Sequence, residues 1–577
     1  MESVASSSLA PSAIDTVRGR AVPSVPAQPS LWILDRWRDL CLFVGTPLLL
    51  IPIFSAAQAR WSAQDIFLFV GAFGAMGHHL PGMIRAYGDR GLFSRFRTRF
   101  LVAPIILLTV SIWASWFDIQ ALQLLAMAWG IWHGMMQTYG FCRIYDGKAS
   151  ASGRARARAD FALCLVWFIA AVLLSHMRFR TFFELYYESG GPVISAAAVS
   201  ALRTVVVSLL AGVTIYFAFQ QWIHWRRKRW ASPIKLTLLT SSIAFWWYCN
   251  NGVQNILVGI ALFEVFHDVQ YLAIVWIYNR SRVERDESIG GFMRFVFRKS
   301  GALIGVYVGL VLAYGSIAFS TSASSAFWIR HALIGLVTAS ALLHFYYDGF
   351  IWKVRETQTR AMLGIEGAGI GAVASRFALP LWLRHGLRWA LVAVPFVALC
   401  CAQLLGRVVP PLERTQKVAE VLPNDAQAQL NYGKALHEAG DVDKASRQYQ
   451  LALERDPTLA EAEFFLGLAD SDSRDYTDSI KHYARSLELN PKYGEAEFNL
   501  GNVLLAEGQQ EEARRHLEHS LTLDPNMFLA HQVLGDILCQ SGDFDAAIGH
   551  YEAALRLSPQ FAAAANGLSH ARSLARR

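Results

Sequence analysis

A chain of 577 residues has room for several domains, and 54% hydrophobic residues with a mean hydropathy of +0.28 are high for a soluble protein. The net charge of +8 divides sharply: residues 407–577 hold 17 basic and 26 acidic side chains, and residues 1–406 hold 36 and 19. The basic excess sits in the loops of the apolar region, which sets nucleic-acid binding aside. Seven cysteines without CxxC or ribbon spacing exclude a zinc ribbon.

Residues 1–36 begin with a stretch rich in Ser, Ala and Pro that lacks an apolar h-region, so they read as a disordered tail rather than a cleaved signal peptide. A polytopic membrane domain is expected over 37–406. Crossing a ~30 Å hydrocarbon core takes roughly 20 apolar residues. Such windows occur near 39–58, 64–84, 99–117, 119–141, 161–177, 197–222, 235–250, 253–278, 301–320, 328–352 and 386–406. Every second loop is basic: Arg85 to Arg99, Arg143 to Arg158, the cluster Arg226-Arg227-Lys228-Arg229, Arg280 to Lys299 and Lys353 to Arg360. The alternate loops are short and nearly uncharged. The positive-inside rule then places the N-terminus in the cytoplasm, and eleven spans place the C-terminal module outside it.

Ionisable side chains inside spans are costly and point to function. The second span ends Gly77-His78-His79-Leu80-Pro81, and the fourth holds His133 with Gln137. The eighth holds Glu264, His267 and Asp268, and the tenth holds His344 with Asp348. These four spans run in one direction. At 1.5 Å per residue, His79, His133, His267 and His344 stand roughly 9, 15, 20 and 14 Å before the next basic residue, so they share a layer. Imidazoles with carboxylates and no thiolate suit a divalent metal, iron by preference over zinc or manganese. The expected ligands are His78, His79, His133, Glu264, His267 and His344, with His133, Asp268 and Asp348 as acid–base groups. Glu264 and His267 are i, i+3 on one face. His133/Gln137 and His344/Asp348 are i, i+4, placing an orienting group or second ligand beside each histidine. Pro81 disturbs backbone pairing just after His78-His79. A histidine near a helix end can also serve only a neighbouring helix, and the arginines beyond each histidine read as topology anchors.

This layout resembles membrane iron oxygenases that use intramembrane histidines, including the desaturase/hydroxylase group and the Brp/Blh-type carotenoid-cleaving enzymes. The resemblance implies a metal that activates dioxygen against a lipid-soluble substrate. The HxxxH and HxxHH boxes of desaturases are absent. Gly130-Ile131-Trp132-His133-Gly134 is similar to the Trp-His-Gly segment of membrane-bound O-acyltransferases, which implies His133 as a base for acyl transfer. Polytopic glycosyltransferases with repeat tails share the architecture, but their acidic motif belongs in a long first loop; here Gln58 to Ala63 is short and has no acidic pair. Outside enzymes, the same polar layer would serve as an ion or proton relay in a transporter or assembly protein.

Residues 407–423 read as a linker to a domain over 424–577. Pro423, Pro457, Pro491, Pro525 and Pro559 recur every 34 residues, as do Gly433, Gly467, Gly501 and Gly535. Ala445, Ser479, Ala513 and Ala547, then Tyr449, Tyr483, Leu517 and Tyr551, complete the pattern. This resembles the tetratricopeptide repeat (TPR) family over 424–559, with a capping helix after it. The resemblance implies an all-α solenoid that binds a peptide or protein along a groove, with Asn431, Asn499, Asn502 and Asp536 at first-helix positions.

Overall fold

The computed structural model of the chain describes residues 31–576 apart from 150, 152, 228–231, 286–288, 290, 298–301, 324–325, 352–362, 364 and 366–379. The expected tail up to residue 30 and the basic stretch Lys353 to Arg360 lie outside them. Among the described residues every regular element is helical.

Each of the eleven apolar windows falls on a helix. The first is α1 (Arg36–Asp39), a π-helical turn over Leu40–Val44 and α2 (Thr46–Gln58), bent by 48°. The second is α3 (Ala63–Val70), a π-helical stretch over Gly71–Met76 and α4 (His79–Gly88). There follow α5 (Arg90–Trp116), α6 (Gln120–Lys148) and α7 (Arg154–Leu173), which turns through 81° into α8 (His176–Glu188). Then come α9 (Ala196–Arg226), α10 (Pro233–Asn251), α11 (Ile256–Arg285) and the short α12 (Gly291–Phe297). The bundle closes with α13 (Ala302–Ala323), α14 (Phe327–Ile351) and α15 (Leu381–Leu404). By length and composition five of these helices are able to cross a membrane, or up to seven if each bent pair is one span. Helices α6 and α10 fall short of that measure because polar side chains turned inward, such as His133, Ser242 and Asn250, dilute their hydropathy.

Caps fix several helix starts: Ser62 accepts from the Asp65 N–H, Asp89 from Leu92, Ser175 from Arg178 and Ser195 from Ala198. The break within the second apolar window also has a local cause. Pro81 has no N–H to give the Gly77 carbonyl, and the Leu80 N–H takes it at 3.3 Å instead. Small residues let α13 close on this broken helix. A Cβ built at Gly315 would meet the Ala72 carbonyl oxygen at 2.2 Å, and one at Gly77 would meet Val311 at 2.8 Å.

The two ends of the bundle are chemically distinct. At the end with the basic loops, Lys235 reaches Asp146 at 3.1 Å and Asp160 at 2.7 Å, all three fully buried, and Arg143 pairs with both aspartates. Arg282 pairs with Asp89 at 3.2 Å there, and the Arg85 guanidinium lies 3.8 Å from the Tyr278 ring centroid. Several arginines that the sequence marks as loop anchors are therefore folded into the bundle. At the opposite end, Gln403 bonds Gln120 N–H and the Asp118 carbonyl, and Ser175 donates to the Asn250 carbonyl at 2.6 Å.

The C-terminal module hangs from that second end. The expected linker contains a helix of its own, α16 (Pro411–Val421). Paired helices follow: α17 (Ala426–Glu438) with α18 (Val442–Arg455), α19 (Ala460–Asp472) with α20 (Tyr476–Leu489), α21 (Gly494–Ala506) with α22 (Gln510–Leu523), and α23 (Phe528–Gln540) with α24 (Phe544–Leu557). The last helix is α25 (Ala562–Ala575). Within each pair the repeating glycine lies under an aromatic or leucine ring or branch: a Cβ at Gly433 would stand 2.5 Å from Tyr449. That is why the helices cross so closely.

Candidate metal centre

Four helices carry the candidate side chains to one point. Ring nitrogens of His78, at the start of α4, His133 on α6, His267 on α11 and His344 on α14 all lie within 4.8 Å of one another, and all four residues are buried. His344 Nε2 stands 3.2 Å from His78 Nε2 and 3.1 Å from His133 Nε2. An imidazole nitrogen has one in-plane site, either a proton or a lone pair. His344 Nε2 can therefore satisfy one of these neighbours by hydrogen bonding and not both. A shared cation resolves the conflict: with metal–nitrogen bonds of about 2.1 Å, adjacent ligands stand about 3.0–3.4 Å apart. The residues present fit a metal ion of imidazole preference.

The surrounding groups orient this set. His78 Nδ1 faces the Gly74 carbonyl at 3.3 Å and lies 2.7 Å from Asp268 Oδ1, which leaves His78 Nε2 facing the other histidines. Asp268 is itself held close, since a Cβ at Gly74 would meet its Oδ2 at 2.6 Å. Asp348 Oδ2 is 3.7 Å from Nε2 of both His133 and His344, within reach as a further ligand after a small movement. The Tyr271 hydroxyl donates to the other oxygen of Asp348 at 2.9 Å.

Two expected members stand apart. His79 Nδ1 pairs with Ser340 Oγ at 2.9 Å, and its ring stacks on His344 with centroids 4.7 Å apart, outside the group of four. Glu264 is half-buried and lines a cavity beside His133 and His267 rather than joining the cluster. Gln137 departs from the expected role beside His133. Its amide donates to the His267 carbonyl and to Gln270 Oε1, each at 3.1 Å, because it faces the backbone of α11. Sequence reasoning missed Tyr271, Ser340 and Tyr314. The first two were signalled by spacing, one helical turn after His267 and one before His344. Tyr314, whose hydroxyl meets Ser340 Oγ at 2.9 Å, lies on α13, which has no histidine to mark it.

The cavity next to the histidines has a volume of about 330 Å³. Its walls include Phe67, Ala75, Phe263, Val337 and Phe345, so the centre looks onto an apolar space.

Comparison with known proteins speaks to the C-terminal part. Tetratricopeptide repeat family models match residues 412–460, 466–528 and 528–561. The chain is similar to YrrB, described as a TPR protein with an unusual peptide-binding site, at 23% identity over 28% of this chain and 84% of that one, with a TM-score of 0.26. It is similar to the MamA protein at 26% identity over 26% of this chain and 82% of that one, TM-score 0.24. It is also similar to the first TPR of Spaghetti (RPAP3), solved with an HSP90 peptide, at 24% identity over 20% and 90%, TM-score 0.19. No curated protein matches the chain.

Proposed function

We propose that this chain, whose residues 412–561 are tetratricopeptide repeats, is an integral membrane enzyme built on a four-histidine divalent metal centre. The reaction class we assign is oxygenation or hydroxylation of a lipid-soluble substrate, with the repeats taking a protein or peptide partner. The observation that carries the reading is the convergence of three Nε2 atoms at 3.1 and 3.2 Å, a contact pattern that neutral imidazoles cannot satisfy among themselves. An all-nitrogen set with Asp348 in reserve suits iron, and bound iron would supply dioxygen chemistry. The protein's own part is to hold four imidazoles in one plane of the bundle, to fix His78 through Asp268, and to face the site with an apolar cavity.

The apolar helices and the basic loops at one end support a membrane setting with that end and the N-terminus cytoplasmic. The repeat module, attached at the other end, is then extracytoplasmic.

Metal analysis of the purified chain tests the reading. About one metal ion per chain, lost in His133→Ala and His267→Ala variants that remain folded, is expected. A folded, metal-free wild type would sink it. In that event the relay reading takes its place, favoured by a polar column along α11 and α4: His267 and Tyr271, then Tyr278 against Arg85, then Arg282 against Asp89. A solitary acyl-transfer base at His133 is disfavoured, because its Nε2 already points at His344.

A further inference from the structure

The metal centre has two unlike faces, and the difference identifies what enters it. Helices α6, α11 and α14 run toward the basic end, as does the α3–α4 segment. The apolar wall comes almost wholly from residues that precede the histidines on these helices: Leu68 and Ala75 before His78, Phe263 before His267, Val337 and Ala341 before His344. Helix α13 runs the other way and contributes Ala318 and Thr321 from its last two turns. The cavity therefore extends from the histidines toward the end that bears the repeat module. The Tyr271–Asp348 pair closes the opposite side.

Charge narrows the choice of occupant. Among the described residues no lysine or arginine lines the cavity, and the carboxylate there is Glu264. A carboxylate or phosphate headgroup resting on these walls would find no cationic side chain there and would meet Glu264; its one cationic partner would be the metal itself, reached past Glu264. The walls are mostly apolar side chains, which suits the end of a hydrocarbon chain.

We propose that the cavity admits the end of an uncharged hydrocarbon chain, which enters from the repeat-bearing side and stops at the histidines. This rests on the metal reading above. The test uses the full chain in lipid nanodiscs loaded with Co(II), whose visible absorption reports the ligand field. Metal content is measured in parallel, and n-dodecane and dodecanoate are the probes.

Dodecane should perturb the Co(II) bands with a half-saturation about tenfold or more below that of dodecanoate. Thr321→Trp, at the far end of the cavity, should abolish the response while keeping the metal. Glu264→Gln should bring dodecanoate closer to dodecane. A wild type that holds Co(II) but responds to neither chain, or responds to dodecanoate as strongly, overturns the substrate inference and leaves the metal reading standing. A wild type that binds no Co(II) overturns both.

Discussion

Asp268 and Asp348 look alike in the sequence, each close to a histidine on its own helix, yet they act in different places. Asp268 is one residue from His267 but sets its Oδ1 2.7 Å from His78 Nδ1 on another helix, where Nδ1 also faces the Gly74 carbonyl at 3.3 Å. Removing its charge should leave four ligands in place but release the orientation of one. Asp268→Asn is expected to weaken metal binding by about 10–100-fold without unfolding the chain. Metal titration beside a hydrogen-exchange profile checks this, and an unchanged affinity would count against a positioning role. The same scale shows what the sequence could and could not tell. The 1.5 Å rise brought out a common layer of histidines on four helices. It could not choose between His78 and His79, because adjacent residues on a regular helix differ by 100° and the π-helical stretch Gly71–Met76 shifts the phase just before them. The geometry puts His78 with the other three and turns His79 to Ser340.

At the scale of elements, the site depends on how closely α13 lies on the broken α3–α4 segment. Gly315 permits that approach, since a Cβ there would overlap the Ala72 carbonyl oxygen at 2.2 Å. Gly305, on the same helix, has nothing within 4 Å of the position a Cβ would take. Gly315→Ala should therefore destabilise the bundle by about 1–3 kcal/mol through overpacking. Gly305→Ala should be neutral or slightly stabilising, because alanine is the better helix former. Thermal unfolding of the two variants in one detergent checks the contrast, and equal melting temperatures would show that α13 can move aside freely. The helices of the apolar windows and of the repeats were legible, because a long apolar run and a 34-residue repeat are strong local signals, whereas α8, α12 and α16 carry neither signal. The bends at 48° and 81°, and the close contact through glycine, were not legible, because they follow from which helix lies against which.

At the scale of the whole molecule, the join between the two parts is a built interface. Helix α8 lies almost wholly between the apolar windows 161–177 and 197–222. Its Phe179, Phe183 and Tyr187 bury themselves with Val418, Val421 and Leu422 around α16. Polar contacts ring this patch: Arg180 with Asp425, Asn431 with Glu184 at 3.2 Å, and Arg414 with Glu188 at 3.3 Å. Asn431, expected to line a binding groove, is thus spent on the join. Asp425 has two tasks, since it also accepts the Ala428 N–H at 2.8 Å and caps α17. The two contributions can be separated. Asp425→Ala loses both the cap, worth about 1 kcal/mol, and the ion pair. Arg180→Met keeps the cap but loses the pair, whose charged hydrogen bond is partly shielded from water and worth about 1.5–3 kcal/mol, together with a looser contact to Glu184 at 4.0 Å. Because a chain of two parts does not unfold in one step, local hydrogen exchange along α16 and α17 is the proper measure. Arg180→Met should speed exchange in both helices, and Asp425→Ala should speed it further in the first turn of α17. In the double variant the Arg180→Met effect should shrink to what its looser contact with Glu184 contributes, since Asp425 is already gone. Additive effects would mean that the pair does not hold the module, leaving the apolar patch on α8 to do so alone.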